Sequence, residues 1–253
     1  MTNHPTGSVS FDRIAHRYDE TRGGAKRGAE MVADLEPWLA PGAILEVGVG
    51  TGLVSAALAD GGRTALGVDI SPLMAARARA RLGPRVAVGD ARSLPVHDTC
   101  VDNVLFVWAL HVVGDIPAAL GEARRVMRDG GRVIAFHGGP DYERSDLSDA
   151  MAPLAVLRGA HARPDTDEAL ASAGEGAGLV MLHNGWTTAW PIELTPNRVA
   201  EEISSRVWSY LWLLDDDAWR AHAVPALENL RALPDPDHPW RFRQRHRITV
   251  FTR

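Results

Sequence analysis

One cysteine, Cys100, in 253 residues leaves no partner for an intrachain disulfide. It adjoins an apolar run, where an inert core thiol is expected rather than a nucleophile. No stretch approaches the roughly twenty apolar residues of a membrane span, and MTNHPTGSVS at the start carries no apolar stretch of signal-peptide length. The expectation is a soluble, cytoplasmic protein. Basic charge is scarce as well: 27 Lys and Arg face 32 Asp and Glu, for a net charge of −5, which argues against nucleic acid as a partner. Arg241, Arg243, Arg245 and Arg247 gather near the C-terminus, but they alternate with Phe242, Gln244, His246 and Ile248, as in a strand with one wet face. No H-x-x-x-H or C-x-x-C spacing occurs, so no metal site is expected. Linkers rich in Pro, Gly or Ser, internal repeats and low-complexity tracts are also missing. With 45% hydrophobic residues the chain can bury one large core, and a single domain over 1–253 is the simplest organisation.

What is present is an alternation of helical and strand patterns, the mark of a parallel sheet covered on both faces. The pattern predicts strands at 43–47, 64–69, 85–88, 101–107 and 132–137, separated by helices at 51–60, from Ser71 and Pro72 to Leu82, and at 116–127. Ser71 reads as an N-cap with Pro72 in the first turn. Further on, the chain reads as helical to about Gly176, then as a strand near 179–190, two helices over 196–231 and a closing strand near 243–252.

The richest segment is ILEVGVGTG, Ile44 to Gly52: an apolar strand passing through Glu46 into Gly48, Val49, Gly50 and Gly52. Glycines admit positive φ and let a ligand approach the backbone closely. A dinucleotide fingerprint, G-x-G-x-x-G, requires a third glycine where this chain has Leu53, which disfavours a nicotinamide cofactor. Asp69, in TALGVDI, lies seventeen residues beyond Gly52, where a carboxylate can accept both hydroxyls of a ribose. Asp90, in GDARSLPV, follows twenty-one residues later and can accept from an adenine amino group. Three acids, Glu46, Asp69 and Asp90, would repel a pyrophosphate but suit a ligand with a sulfonium and an ammonium. The ligand implied is S-adenosylmethionine.

On these residues the chain resembles the class I S-adenosylmethionine-dependent methyltransferases, in particular the ubiquinone/menaquinone-biosynthesis type, over roughly its first 140 residues. FDRIAHRYDE is similar to that family's N-terminal segment, ILEVGVGTG to its first motif, GVDIS to its ribose-binding acid, GDARSLPV to its adenine-binding segment, DNVLFVWALHVV to its fourth-strand motif, and EARRVMRDGGRVIAFH to the helix and strand that follow. The resemblance implies a Rossmann-like α/β fold with a seven-stranded, mostly parallel sheet, helices on both faces and an antiparallel last strand. It implies a helical lid segment over 1–40, with an aromatic at Tyr18 closing over the cofactor, and a helical insertion over the substrate pocket at 191–240. It further implies cofactor contacts from Gly48, Val49, Gly50, Gly52, Asp69, Ile70, Gly89, Asp90, Ala91, Trp108 and Ala109. Glu46 either holds the methionine ammonium through water or orders the loop. Asp102 opens the fourth strand at the far edge and reads as structural.

The activity implied is methyl transfer to O, N or C of a small-molecule acceptor, in secondary-metabolite or quinone biosynthesis. A noncatalytic S-adenosylmethionine-binding protein, or another reaction at the same cofactor site, stands as the alternative. Methyl transfer by in-line displacement needs mainly positioning, but a histidine would suit an acceptor with a proton to lose. His111, just past the fourth strand, and His137, ending the fifth, are the candidates, with His16 behind them. Trp208, Trp212 and Trp219 share a helical face if Asp215 to Asp217 do not break the helix. They form either a core stripe or, with Trp186 and Trp190 on the preceding strand, an aromatic lid.

Overall fold

The strand β1 (Ile44–Val47) is buried at every residue, as a central parallel strand must be when helices cover both its faces. It pairs in parallel with β2 (Ala65–Asp69) on one side and β4 (Val101–Val107) on the other; β2 pairs in parallel with β3 (Val86–Val88), and β4 with β5 (Met127–Tyr142). The computed structural model describes Phe11 and residues 18–21, 24–160, 164–212 and 214–253. His16 and residues 12–17 of the FDRIAHRYDE segment lie outside the described residues. The chain forms two compact units, Met1–Gly139 with Pro164–Thr187 and His246–Arg253, and Pro140–Arg163 with Thr188–Arg245.

In the first unit the sheet order is β3-β2-β1-β4-β5-β8-β6, with β6 (Val180–Trp186) antiparallel to β8 (Trp240–Thr252). This is the Rossmann-like α/β sheet expected, seven strands with the last antiparallel to its neighbour. Among the described residues, helix α1 (Tyr18–Thr21) precedes α2 (Gly24–Leu35). Helices α3 (Leu53–Asp60) and α4 (Pro72–Leu82) follow β1 and β2. Helix α5 (Leu110–Val113) is one turn after β4, and α6 (Ile116–Val126) leads into β5. Helix α9 (Asp167–Gly176) packs with α6. The pleat sorts the core: Leu45, Val47, Val104 and Phe106 join Leu120, Ala123 and Leu170 of α6 and α9, while Glu46 turns the other way, to α3. Burying each such Leu, Val or Phe contributes about 1.5–3 kcal/mol. Ser71 caps α4 as expected, its Oγ accepting the Met74 N–H at 3.1 Å.

The second unit has its own core, Leu147, Leu154, Val199, Ile203, Leu211, Leu227, Leu230 and Phe242 among it. It comprises α7 (Asp146–Ala150), α8 (Ala155–Ala160), β7 (Trp190–Leu194), α10 (Pro196–Ser204), α11 (Asp216–Ala218), a π-helical turn (Trp219–Ala223) and α12 (Val224–Arg231). β7 pairs antiparallel with residues Trp240–Gln244 of β8.

Several expectations change. The strand expected near 179–190 is two strands, β6 and β7, which separates Trp186 from Trp190. The stretch after residue 137, read as helical, instead continues β5 to Tyr142 before α7 begins. The tryptophans do not share one helix: the Asp215 side chain accepts the Ala218 N–H at 2.8 Å and starts a new helix, as an Asx cap does. Trp208 and Trp219 pack against the second unit's core, Trp212 Nε1 donates to the Arg206 carbonyl at 2.7 Å, and the Arg206 guanidinium lies 4.4 Å above the Trp219 ring. The C-terminal arginines alternate as read from sequence, Arg241, Arg243 and Arg245 exposed between buried Phe242, Gln244 and His246. Arg241 pairs with Glu193, Arg245 with Asp141 and Arg247 with Asp167.

Candidate cofactor site

The tips of β1, β2 and β4 surround a cavity of about 490 Å³ within the first unit. Its floor is the turn after β1. The Gly48 and Val49 N–H groups both donate to the Val68 carbonyl, at 2.8 and 3.0 Å, so the chain folds back over the end of β2. Gly48 has φ +74°, and a Cβ there would stand 2.6 Å from the Ala109 Cβ. The glycine is therefore required by close approach of the loop after β4 as well as by backbone sign.

Asp69 closes this turn. Its Oδ2 accepts the Gly50 N–H at 2.8 Å and its Oδ1 the Ser71 N–H at 2.8 Å. A carboxylate has two oxygens that accept hydrogen bonds, the type of group that pairs with the two hydroxyls of a vicinal diol. Ile70, 44% exposed beside it, offers an apolar surface at the rim.

Of the residues assigned from sequence, Tyr18, Gly48, Gly50, Asp69, Ile70, Gly89, Asp90, Ala91, Trp108 and Ala109 line this cavity. Glu46, Val49, Gly52, His111 and His137 do not, each for a visible reason. Val49 points into the packing between β2 and α4, against Ala75, Ala78 and Leu82. Gly52 is the left-handed N-cap of α3, where a Cβ would press on Ala78 at 3.2 Å.

Glu46 reaches α3 instead of the cavity, accepting the Ser55 backbone N–H at 3.0 Å and the Ser55 hydroxyl at 2.5 Å. It satisfies one of the unpaired amides in the first turn of that helix, so of its two readings the loop-ordering one matches its contacts. Burial pushes its carboxyl up to about 7, against the pull of Ser55 and with a smaller push from Asp69. Asp90 forms a bidentate pair with Arg92, through Nε at 3.0 Å and Nη2 at 2.6 Å, and this guanidinium holds its carboxyl below the usual range. The field of three acids expected from sequence is thus a correction: the cavity holds Asp69 and an Asp90–Arg92 ion pair, while Glu46 faces away.

The histidines are a second correction. A helix turns about 100° per residue, so α5 presents Val112 and Val113 to the cavity beside its N-cap Ala109, while His111 is not among the lining residues. The sequence analysis assigned no helix here and so missed the periodicity that selects Val112 and Val113. His137 is buried at 1% exposure in a polar network, with Nδ1 2.9 Å from the Asp165 carbonyl and Nε2 2.8 Å from Thr249 Oγ1. Burial lowers its pKa.

Trp108 is the most constrained wall residue. Its φ is +48°, a left-handed value that costs a bulky residue about 1–2 kcal/mol. Its N–H donates to the Phe136 carbonyl at 2.9 Å, its ring meets Phe136 and His246 edge-on, and the Arg27 guanidinium lies 4.2 Å from the ring centroid. Other lining residues that sequence reading did not assign to the cofactor include Phe11, Ser71, Met74 and Arg92. Arg92 alone had a local signal, its spacing of two from Asp90. Asp102 is structural as read, accepting the Ala43 N–H at 2.7 Å and Arg128 at 2.9 Å. Among the described residues, no group of three His, Cys, Asp or Glu side chains comes together as a metal would require, and no helix is long and apolar enough to cross a membrane.

The family model described as a methyltransferase domain matches residues 45–135, entirely within the first unit. The malonyl-[acyl-carrier protein] O-methyltransferase of Geobacter sulfurreducens is 33% identical over 181 residues, covering 65% of this chain and 68% of that protein. The ubiquinone/menaquinone biosynthesis C-methyltransferase of Acidiphilium cryptum is 37% identical over 140 residues, covering 50% of this chain and 56% of that one. The chain spans little more than half the length of several curated relatives that it matches. Among solved structures, a phosphoethanolamine N-methyltransferase of Haemonchus contortus bound to phosphomonomethylethanolamine and S-adenosylhomocysteine has the same fold. It shares a TM-score of 0.53 at 17% identity over 92% of this chain and 53% of that one.

Proposed function

This chain belongs to the S-adenosylmethionine-dependent methyltransferases, and we propose that it transfers a methyl group from that cofactor to O, N or C of a small-molecule acceptor. We place this reaction in quinone or secondary-metabolite biosynthesis, in the cytoplasm and without a nucleic-acid partner. The observation that carries the reading is the Asp69 carboxylate, fixed by the Gly50 and Ser71 amides at the edge of the cavity.

The lining fits the group. The bare backbone at Gly48 and Gly50 leaves room for a ligand against the turn, Asp69 binds the ribose hydroxyls, and Ile70, Gly89, Asp90 and Ala91 hold the adenine. Tyr18, Trp108 and Ala109 enclose the methionine end and exclude water. When bound, the cofactor supplies an activated methyl group on a sulfonium. The protein's share is then to bring the acceptor to about 3–3.5 Å in line with it.

No histidine is among the described lining residues, whose titratable side chains are Tyr18, Asp69, Asp90 and Arg92. What the described lining residues offer the reaction is positioning and exclusion of water. Phe11, Tyr18, Trp108, Val112 and Val113 favour a flat or apolar acceptor.

The test is incubation with S-adenosylmethionine labelled in its methyl group against quinols, phenols, amines and malonyl thioesters. A labelled product with stoichiometric S-adenosylhomocysteine is expected. Tight cofactor binding with no turnover across such acceptors would instead favour a noncatalytic binding protein.

A further inference from the structure

Asp19 was not singled out by any motif, yet it joins three separate parts of the first unit. Its Oδ1 accepts the Thr51 hydroxyl at 2.5 Å, and its Oδ2 accepts the Arg81 guanidinium at 2.5 Å. The other arm of Arg81 donates to the Thr51 carbonyl at 2.5 Å, closing a ring of three residues. Thr51 stands between Gly50 and Gly52 in the turn and is 1% exposed. Arg81 lies in the last turn of α4, the helix that begins beside the Asp69–Ser71 corner.

Asp19 immediately follows Tyr18, which lines the cavity. The Tyr18 Cε1 lies 4.0 Å from the point where a Cβ on Gly50 would stand, so the ring rests over the open backbone of the turn. Among the described residues both side chains belong to helix α1. Its carboxylate on Thr51 and its ring over Gly50 put both contacts on the same turn. The charge-assisted bonds from Arg81 are the stronger kind, and side-chain exposures of 26% for Asp19 and 33% for Arg81 leave them open to screening by salt.

We propose that Asp19 is a positioning residue of the cofactor site: its bridge to Thr51 and Arg81 holds Tyr18 over the glycine turn and slows release of an adenosyl ligand. The proposal rests on the cofactor reading of the cavity. Capture of the ligand belongs to Asp69, which the bridge does not touch; retention belongs to the bridge.

The chemistry of each position orders the variants. Asp19→Asn keeps an oxygen for the Thr51 hydroxyl but turns an amide N–H₂ toward the guanidinium, donor against donor. Arg81→Lys keeps the charge but loses the planar fork that serves the Thr51 carbonyl and the Asp19 carboxylate together. Asp19→Ala removes both bonds to the carboxylate and leaves only the one from Arg81 to the Thr51 carbonyl.

The experiment follows binding and release of S-adenosylhomocysteine by the full chain in stopped flow. Asp19→Ala is expected to raise the release rate about tenfold with the association rate within about twofold of wild type and the thermal midpoint within about 2 °C. Asp19→Asn and Arg81→Lys fall between. Arg81→Ala leaves the Thr51 hydroxyl on Asp19 and so raises release less than Asp19→Ala, and the double variant releases no faster than Asp19→Ala, because the bridge is already lost there. Raising salt from about 0.05 to about 0.5 M speeds release from wild type more than from Asp19→Ala. Wild-type release from Asp19→Ala, or effects that multiply in the double variant, would overturn the proposal while leaving the cofactor reading intact. A wild-type protein that binds no adenosyl ligand would overturn both.

Discussion

Asp69 and Gly50 are joined by a hydrogen bond of 2.8 Å between a carboxylate oxygen and a backbone amide nineteen residues earlier, which makes the tip of β2 and the turn after β1 one rigid corner. The acid is thus oriented before any ligand arrives, so little ordering cost remains for binding.

Replacing Asp69 with alanine removes the orienting bonds and the ribose acceptor together. Charged hydrogen bonds contribute about 1.5–3 kcal/mol each, so affinity for S-adenosylhomocysteine should fall at least about a hundredfold by titration calorimetry. Asparagine should also fail, because its N–H₂ must face the N–H of either Gly50 or Ser71. Undiminished affinity in the alanine variant would remove the basis of the proposed function.

Gly48→Ala places a methyl 2.6 Å from the Ala109 Cβ at a φ of +74°. The left-handed backbone alone costs about 1–2 kcal/mol, equivalent to a drop of about 2–8 °C in a protein of this size. Adding Ala109→Gly relieves the contact but not the backbone cost, so the double variant should recover part of the thermal midpoint. Full recovery would show that φ is not strained there, and none that the clash is not with Ala109.

The pH dependence of stability carries the mark of Glu46. Burial raises its carboxyl from an ordinary 4.5 to about 7, so the folded chain holds this proton more tightly than the unfolded chain. The stability it contributes is complete below about 4.5 and is lost as pH rises through about 7. At about 1.4 kcal/mol per unit, the loss is on the order of 3 kcal/mol. Glu46→Gln retains an acceptor for Ser55 and cannot ionise, so its urea midpoint should decline less than wild type between pH 5 and pH 8. Parallel declines in the two proteins would contradict the burial argument.

His137 acts in the opposite sense. Burial lowers its pKa from 6.5, against the pull of the Asp165 carbonyl and the Asp165 and Asp167 charges. The stability tied to its neutral ring is present above 6.5 and is lost as pH falls below it. His137→Gln should be less stable at neutral pH yet less sensitive to acid. Since neither His137 nor His111 lines the cavity, kcat of the His137→Gln and His111→Ala variants should stay within about threefold of wild type, or roughly 0.6 kcal/mol. A loss beyond about 3 kcal/mol in either would restore that histidine as the base.

The cofactor corner was legible in the sequence because it is built locally. Glycines, an apolar strand ending in an acid and an N-cap serine followed by proline each announce a backbone conformation within a few residues. Parallel pairing of β1 with β2 then brings Asp69 to Gly50 without further information. The histidines were misjudged for a related reason: proximity along the chain to a strand tip is not proximity to the cavity, and His111, on the single turn of helix there, is not among the lining residues.

The sequence by itself determined the strands from β1 to β4, where the glycine turn falls and which acid closes the next strand, since these follow from side-chain periods of 2.0 and 3.6 and from the sterics of φ. Only the tertiary structure decided that Glu46 caps α3, that Asp90 is paired with Arg92 and that Arg27 covers Trp108. It alone brought Asp19 to Arg81, sixty-two residues away, and His137 to Thr249, one hundred and twelve away. Such partners are chosen by the topology of the sheet and the facing of its helices, and no local pattern encodes which distant side chain arrives at a given polar atom.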